Sequence, residues 1–409
     1  MAAVLLVLAG TTAGFAAPGA EALGATAEGL IAAGRALSPS VRAAALTTAA
    51  AQARADGAGA LDDPVFTALS DEVDRTGGAR INKTYFTLTQ EFPLWGKRDL
   101  RRSVALAAVE AARGIERAAQ DALDERIKVA FARLYAVTWA LAINQDVIVL
   151  TREMTATAVR RYGQGVGDQS SALLTQVEET RTAAEQIRLE AARSTVVARL
   201  NALLGRAPGT PLAKPARQRT LPAADLAMAA LVERARASNP RMFAGAAAIR
   251  GAAGERQLAE RAWYPDITVG AGIVQRDNGP TGFLASIGIK IPLQREPKMA
   301  GERETAARLR AAEHELDAAI AEIQGDLAEA IAGLNAARRT QALLRDRLLP
   351  QQRAAYRSLL AGYGQGRGEL AAVLEAQHRL HDTDLELLRI ETEAQTALAA
   401  IERLIGGEL

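Results

Sequence analysis

The sequence predicts a mainly α-helical protein with a small β part, built from two tandem structural repeats. Three observations lead to this prediction. The tetrapeptide Tyr-Gly-Gln-Gly occurs twice, beginning at Tyr162 and at Tyr363, an offset of 201 residues. Aromatic residues make up only 4% of the chain, and long stretches consist almost entirely of Ala, Leu, Glu, Arg and Gln, which is typical of long helices and coiled coils. Short segments in which polar and apolar residues alternate interrupt this composition and predict strands.

The same offset relates positions far from the tetrapeptide. Ser38-Pro39 corresponds to Asn239-Pro240, and Leu204-Gly205 corresponds to Ile405-Gly406. A unit of about two hundred residues has therefore been duplicated across the chain. The predicted divisions are repeat 1 at residues 21–205, a proline-rich surface linker at 206–222 and repeat 2 at 223–409.

Each repeat is predicted to contain opening helices broken before a proline, two strands, a very long helix, a glycine-rich turn and a shorter returning helix. From Lys97 to Arg161 the chain contains no proline, and a helix of that length spans about 100 Å. Such a helix needs neighbours along its whole length, and Pro350 is expected to bend its counterpart. The predicted ranges are opening helices at about 22–56 and 223–262, strand pairs at about 64–94 and 266–293, and helix hairpins at 97–205 and 297–405.

The N-terminal segment has the composition of a targeting signal. Residues 1–20 form an apolar run that ends in small residues, which predicts a secretory signal peptide, although the usual basic start is missing. The chain has no cysteine, which excludes disulfides and thiolate metal sites. Its formal net charge of +2 gives no indication of a nucleic acid partner.

The predicted strands have the length and flanking residues of membrane strands. They are about 10 residues long, as in tilted transmembrane strands. Trp95 follows one strand and Trp263-Tyr264 precedes another, so these three residues are predicted to form a belt at the membrane–water boundary. Four strands cannot close a membrane barrel, and an open sheet edge in lipid is costly. Three chains would supply twelve strands, so a homotrimer is predicted.

Several segments then identify a family that the chain resembles, the TolC-like outer membrane factors. The most specific are Gln90 to Arg98 (QEFPLWGKR), Trp263 to Asp266 (WYPD) and the two Tyr-Gly-Gln-Gly turns. The resemblance covers essentially the whole chain after the signal peptide. It implies a trimeric outer-membrane 12-stranded β-barrel, with four strands per chain, continued by a long α-helical barrel in the periplasm. It also implies a passive exit duct without cofactors that works with a periplasmic adaptor protein and an inner-membrane pump of the resistance-nodulation-division type.

The resemblance also implies roles for the glycine turns and the acidic residues that follow them. The turns are expected at the periplasmic tips, where they dock the adaptor; the residues are Tyr162, Gly163, Gly165, Gly167, Tyr363, Gly364, Gly366 and Gly368. Glu375, with Glu369 and Asp168, is expected near the aperture, although Ala372 stands where the family often has an acidic residue. Helix capping is the alternative role for Glu369 and Asp168, and it is favoured for Asp168.

The cargo and the rival functions remain open at this point. The segment Pro93 to Arg98 resembles the heavy-metal branch of the family, so metal cations are favoured, with drugs or other small organic molecules as the alternative. His378 and His381, with Glu375 and Asp382, have a spacing that could bind a cation on one helix face, but solvated or packed histidines are the favoured interpretation and no metal site is predicted. A non-membrane coiled-coil scaffold is the rival from another class. No catalytic motif is present, so an enzyme is not expected.

Overall fold

The computed structural model of the chain describes residues 23–74, 80–165, 167–222, 226–277, 279–365 and 367–409. The predicted signal peptide at residues 1–20 lies outside the described residues.

Helices and strands follow one another in the same order in both halves of the chain. The first half contains α1 (Ala27–Leu37), α2 (Pro39–Gly57), β1 (Val65–Asp74), β2 (Arg80–Phe92), α3 (Lys97–Gly163) and α4 (Gln169–Leu203). The second half contains α5 (Met228–Ser238), α6 (Pro240–Arg261), β3 (Asp266–Arg276), β4 (Gly279–Lys290), α7 (Arg295–Leu343), a π-helical turn (Leu344–Leu348), α8 (Leu349–Gly364) and α9 (Leu370–Ile405).

Both pairs of opening helices break before a proline, as the sequence predicts. Ser38 and Asn239 have extended backbones, and Pro39 and Pro240 begin the next helix, where the missing N–H would be unpaired in any case. The Asn239 side chain accepts a hydrogen bond from the first turn of α6 at 2.8 Å, and it donates another to the Leu404 carbonyl at 2.8 Å. The second break therefore also fixes α6 against the end of α9.

The strands form one antiparallel sheet in the order β1–β2–β3–β4, so the two halves of the chain meet where β2 pairs with β3. The register gives each face of the sheet one parity of side chains. Outside the ends of β1 and β2 at residues 72–82, one face is apolar apart from Ser70, Thr84, Gln90 and Gln275; its apolar members are Phe66, Ala68, Phe86, Leu88, Phe92, Ile267, Val269, Ala271, Ile273, Phe283, Ala285, Ile287 and Ile289. The opposite face carries mostly threonines, glycines, serines and charged residues, among them the ion pair Glu91–Lys290 at 3.3 Å. In the described sheet, β1 and β4 each have one edge without a strand partner.

The long helices pack against neighbours along their length. Helix α3 has 67 residues, about 100 Å, and contacts α2, α4, α6 and α9. A Cβ on Gly114 would lie 2.8 Å from the Ala244 Cβ of α6, so glycine permits this close approach. One 18-residue window of α3 is apolar enough for a membrane span, with a mean hydropathy of 1.4, but 39% of the window is buried in the protein. Pro350 lies at the start of α8, directly after the π-helical turn, which accommodates the hydrogen bond that proline cannot make.

Two hydrophobic cores occupy corresponding places in the two halves. The first joins α1 to the middle of α3 and the end of α4, around Leu30, Ile127, Phe131, Leu200 and Leu204. The second joins α5, α7 and α9, around Leu231, Leu327, Leu334, Ile390 and Ile401. Both cores lie well away from the sheet, so each half is held together at the middle of its long helices.

The segment at residues 206–222, which the sequence predicts to be a surface linker, has no helix or strand, and part of it is buried. Leu212 is buried in the first core. The Ala213 N–H donates to the Leu23 carbonyl at 2.8 Å, and the Arg219 carbonyl accepts a hydrogen bond from Gln395 at 2.6 Å. The segment therefore packs first against the core of repeat 1 and then against α9.

Candidate functional site

The sheet joins the helices at a junction where two aromatic rings lie in contact at a tilted angle of 38°. The rings of Trp95 and Tyr264 lie 5.2 Å apart between centroids, and the Trp95 Nε1 donates to the Pro265 carbonyl at 2.8 Å. Trp95 and Gly96 both have left-handed backbones, with φ of 63° and 71°. Glycine adopts this conformation without strain, whereas tryptophan does not. This strained turn places the Trp95 indole, which is 49% exposed, at the end of the sheet where β2 passes into α3.

A buried ion pair holds the same junction from the inside. The Lys97 Nζ lies 2.8 Å from both carboxylate oxygens of Asp266 and donates to the Tyr264 carbonyl at 2.9 Å. The Asp266 Oδ1 also accepts the Leu94 N–H at 3.0 Å. The side chains of Lys97 and Asp266 are only 8% and 16% exposed. The pair therefore ties the passage from β2 to α3 to the first residue of β3, across the boundary between the two halves.

The third predicted belt residue, Trp263, is the most enclosed. Its Nε1 donates to Glu302 Oε1 at 2.5 Å, and the Lys298 ammonium lies 5.9 Å from its ring centroid. Tyr264 is 43% exposed, with the Arg261 guanidinium 5.5 Å from its ring centroid. Trp95 and Tyr264 are therefore the aromatic residues that the junction presents at its surface, while Trp263 packs between the helices and the sheet.

The first glycine turn connects α3 to α4. Gly165 has a φ of 72°, and the Gly167 N–H donates to the Arg161 carbonyl at 2.9 Å. A Cβ on Gly167 would lie 2.9 Å from the Tyr162 N, so glycine is required at both positions. Gly163 has open space around it and no left-handed backbone. At Gly163 glycine contributes a bare surface rather than a special conformation.

The second glycine turn connects α8 to α9 and lies beside the first. The Arg367 N–H donates to the Gly362 carbonyl at 2.9 Å, and Gly364, like Gly163, is surrounded by open space. A Cβ on Gly368 would lie 3.1 Å from the Tyr363 N, whereas Gly366 lies outside the described residues. The Arg161 guanidinium lies 5.6 Å from the Tyr363 ring centroid. This cation–π contact brings the two tips together.

The acidic residues near the tips have separate local partners. Asp168 precedes α4 and accepts a hydrogen bond from the Ser170 hydroxyl, which lowers the pKa of Asp168 below its usual value. Glu369 precedes α9 and is exposed. Glu375 is exposed and forms an ion pair with Arg379, one turn along α9, at 3.0 Å. The positive charge of Arg379 offsets the negative charge of Glu375, which the resemblance implies near the aperture.

The comparisons with known proteins agree with this architecture. The outer-membrane channel OprN matches with a TM-score of 0.79 at 18% identity, over 93% of this chain and 90% of that chain. VceC from Vibrio cholerae matches with a TM-score of 0.80 at 19% identity, over 93% and 96%. CusC matches with a TM-score of 0.80 at 16% identity, over 93% and 92%. No curated protein sequence matches the chain. Residues 231–407 match the family described as outer membrane efflux protein.

The chain therefore resembles the TolC-like outer membrane factors: its second half matches the family model, and its whole length has the fold of these channels. The predicted resemblance is confirmed, and so is the mainly helical fold with a four-stranded sheet; the trimer and the tandem repeats stay predictions. Among these structural neighbours, OprN is described as an outer-membrane channel and VceC as an outer membrane protein. In this chain the glycine turns lie at the ends of the long helices that are far from the sheet.

His378 and His381 lie between the two helix hairpins, in a cavity lined by α3, α4 and α9, whereas His314 is exposed on α7. The His378 Nε2 is 2.6 Å from Glu178 Oε1, so the pair joins α9 to α4. His381 lies on the same cavity wall, and burial lowers its pKa below the usual value, partly offset by Asp382. Glu375 points elsewhere, to Arg379. Asp382 lines the same cavity, so only Glu375 is apart from the other three, and among the described residues no group of three or more such side chains is placed to hold a metal ion.

Sequence reasoning missed the contacts that join the two halves. Nothing in the repeat pattern indicates that Lys97 pairs with Asp266, because the residues at the corresponding positions are Lys298 and Val65. One physical signal was present: a lysine in the first turn of a helix opposes the helix dipole and therefore needs a nearby anion. The Arg161–Tyr363 and Glu178–His378 contacts carry no comparable signal in the sequence.

Proposed function

We propose that this protein is the exit duct of a tripartite efflux system, in which three copies form a twelve-stranded barrel and a continuous helical tunnel. The observation that carries the proposal is the four-stranded sheet. Its apolar face is exposed, with Phe283 and Ile287 at 92% and 78%, and most residues of its other face are polar or small. An apolar exterior and a polar lumen are the two faces of a membrane β-barrel.

The open edges of the sheet support three copies. In lipid, the unpaired backbone groups of β1 and β4 would each cost several kcal/mol, so β4 of one copy must pair with β1 of the next. Two copies would give eight strands, whose interior side chains fill the barrel. Three copies give twelve, and the long helices of three copies then continue the barrel into the periplasm.

The glycine turns support a docking role for the tips. Bare surfaces at Gly163 and Gly364 allow another protein to approach the backbone closely. The proposed partners are a periplasmic adaptor protein at the tips and an inner-membrane pump of the resistance-nodulation-division type, which supplies the energy. The duct itself conducts passively and performs no chemistry.

The proposed cargo is heavy-metal cations, and the resemblance of the segment Pro93 to Arg98 to the metal branch is what favours it. Drugs or other small organic molecules are the second candidate. A strain that lacks this protein is expected to become sensitive to copper, silver or zinc salts and to recover when the gene is restored. Sensitivity to drugs alone, with unchanged growth on metals, would reject the metal cargo but not the proposed role as an exit duct.

The docking role is tested at the two bare glycines. Gly163→Arg and Gly364→Arg are expected to abolish efflux without changing the amount of assembled protein in the outer membrane. Gly209→Arg is the matched control, because Gly209 also has open space around it but lies in the segment between the repeats. Wild-type efflux by both tip variants would contradict docking at the tips.

The rival scaffold function is tested by fractionation. The apolar face of the sheet predicts that the protein stays in the outer membrane fraction until detergent is added. Release by salt or alkali alone would favour the scaffold.

A further inference from the structure

A groove of about 420 Å³ lies where α2, the end of β2 and the start of α3 meet. Its wall combines one indole, two guanidinium groups and one carboxylate; the residues are Trp95, Arg98, Asp99 and Arg102. Gly59 also lines it, and a Cβ there would lie 3.8 Å from the Arg102 Cβ. A methyl group would therefore fit at Gly59 in ordinary contact, and only a larger side chain there would fill the groove.

The charged groups of the groove do not form a buried ion pair as Lys97 does with Asp266. The Arg98 Nε donates to the Gly59 carbonyl at 2.8 Å, which fixes the guanidinium and leaves its terminal nitrogens without a protein partner among the described residues. The side chains of Arg102 and Asp99 have no hydrogen bond or ion pair in the described part of the chain. Arg98 and Arg102 are one helical turn apart, where like charges repel, so an anion between them would be stabilising.

The groove adjoins the apolar face of the sheet. Phe92 belongs to that face, and the next residues of the chain, Pro93, Leu94 and Trp95, line the groove. In the proposed barrel this is the level of the lipid headgroups of the periplasmic leaflet. Tryptophan and arginine favour that level because they combine apolar surface with polar groups.

We propose that the groove binds the headgroup of phosphatidylethanolamine. Arg98 and Arg102 hold the phosphate through charge-assisted hydrogen bonds, and Asp99 accepts hydrogen bonds from the ammonium group. The positive end of the α3 helix dipole adds to the attraction for phosphate. Phosphatidylglycerol lacks the ammonium group, and the quaternary ammonium of phosphatidylcholine has no N–H to donate. This inference rests on the proposed placement of the sheet in the membrane.

Native mass spectrometry of the detergent-solubilised oligomer, titrated with each of the three lipids, tests the site. Phosphatidylethanolamine is expected to bind about tenfold more tightly than phosphatidylcholine, which is the effect of one charged hydrogen bond. Arg102→Gln is expected to weaken its binding about tenfold. Asp99→Asn is expected to remove the preference over phosphatidylglycerol, and Gly59→Trp should block the groove while all its charges remain.

Arg101→Gln is the matched control, because Arg101 is exposed in the same turn of α3 but does not line the groove. Equal binding of the three lipids, or an equal loss in Arg101→Gln and Arg102→Gln, would overturn the headgroup site. The same spectra report the mass of the oligomer independently of lipid binding. A failure of the headgroup site would therefore leave the proposed duct unaffected. A chain that is soluble without detergent would overturn both proposals.

Discussion

Replacing Lys97 with methionine tests how the junction between sheet and helices is held. The change keeps most of the apolar stem and removes the ammonium group, so Asp266 keeps the Leu94 N–H but loses the cation with which it pairs among the described residues. Removing one partner of a buried ion pair typically costs 3–5 kcal/mol of unfolding free energy. Because Asp266 is 16% exposed and keeps one hydrogen bond, we expect about 3 kcal/mol, the lower end of that range.

The assay is urea unfolding of the detergent-solubilised protein, followed by tryptophan fluorescence. The chain has three tryptophans, and Trp95 and Trp263 are at the junction. Adding Asp266→Asn to Lys97→Met should recover most of the loss, since no unpaired charge then remains. Lys298→Met is the control, because Lys298 occupies the corresponding position of repeat 2 and makes only a carbonyl hydrogen bond and a cation–π contact. We expect about 1 kcal/mol or less there.

The reasoning is refuted by either of two results. A loss below about 1 kcal/mol for Lys97→Met would mean that the pair behaves as a solvent-exposed one. Strict additivity of the two single substitutions would mean that Lys97 and Asp266 do not interact.

Three further predictions concern the helical part. Gly114→Leu should lower the unfolding free energy by about 1–3 kcal/mol, measured by urea unfolding, because α6 leaves no room for a side chain; an unchanged midpoint would contradict the close approach. Burial alone would raise the pKa of Glu402, but hydrogen bonds from Arg219 and Lys128 lower it overall. The Glu402 carboxylate therefore stabilises the fold above pH 4.5, and this contribution is lost as the pH falls through the lower pKa of the folded state. Glu402→Gln should remove that acid-dependent loss, and a melting temperature that falls as steeply in the variant would contradict it. Burial lowers the pKa of His381 despite the nearby carboxylates of Glu185, Asp382 and Asp384. The unfolded chain therefore takes up the proton first, and stability should fall as the pH drops below 6.5. His381→Gln should melt at the same temperature at pH 7.5 and pH 5.5, and a melting temperature that depends on pH as in the wild type would reject the assignment.

Much of the fold was predictable because it follows from local patterns. The alternation in Phe283 to Ile291 predicted β4, and the pre-proline breaks at Ser38 and Asn239 appeared where the repeat placed them. Both signals depend on the backbone within a few residues. The offset of 201 residues then transferred the weaker assignment of β1 from the second half to the first.

The contacts between the halves were not predictable in the same way. Lys97 meets Asp266 only because β2 pairs with β3, and Arg161 meets Tyr363 only because two long helices end at the same level. Such contacts depend on the three-dimensional order of elements, which periodicity does not report. The linker at 206–222 shows the same limit, since its prolines predicted a turn-rich segment but not the burial of Leu212.

The mass of the detergent-solubilised protein tests the central claim most directly. The apolar face of a four-stranded sheet with two open edges predicts an assembly of three chains in native mass spectrometry. An assembly of one or two chains would contradict the shared barrel, because four or eight strands cannot enclose a duct.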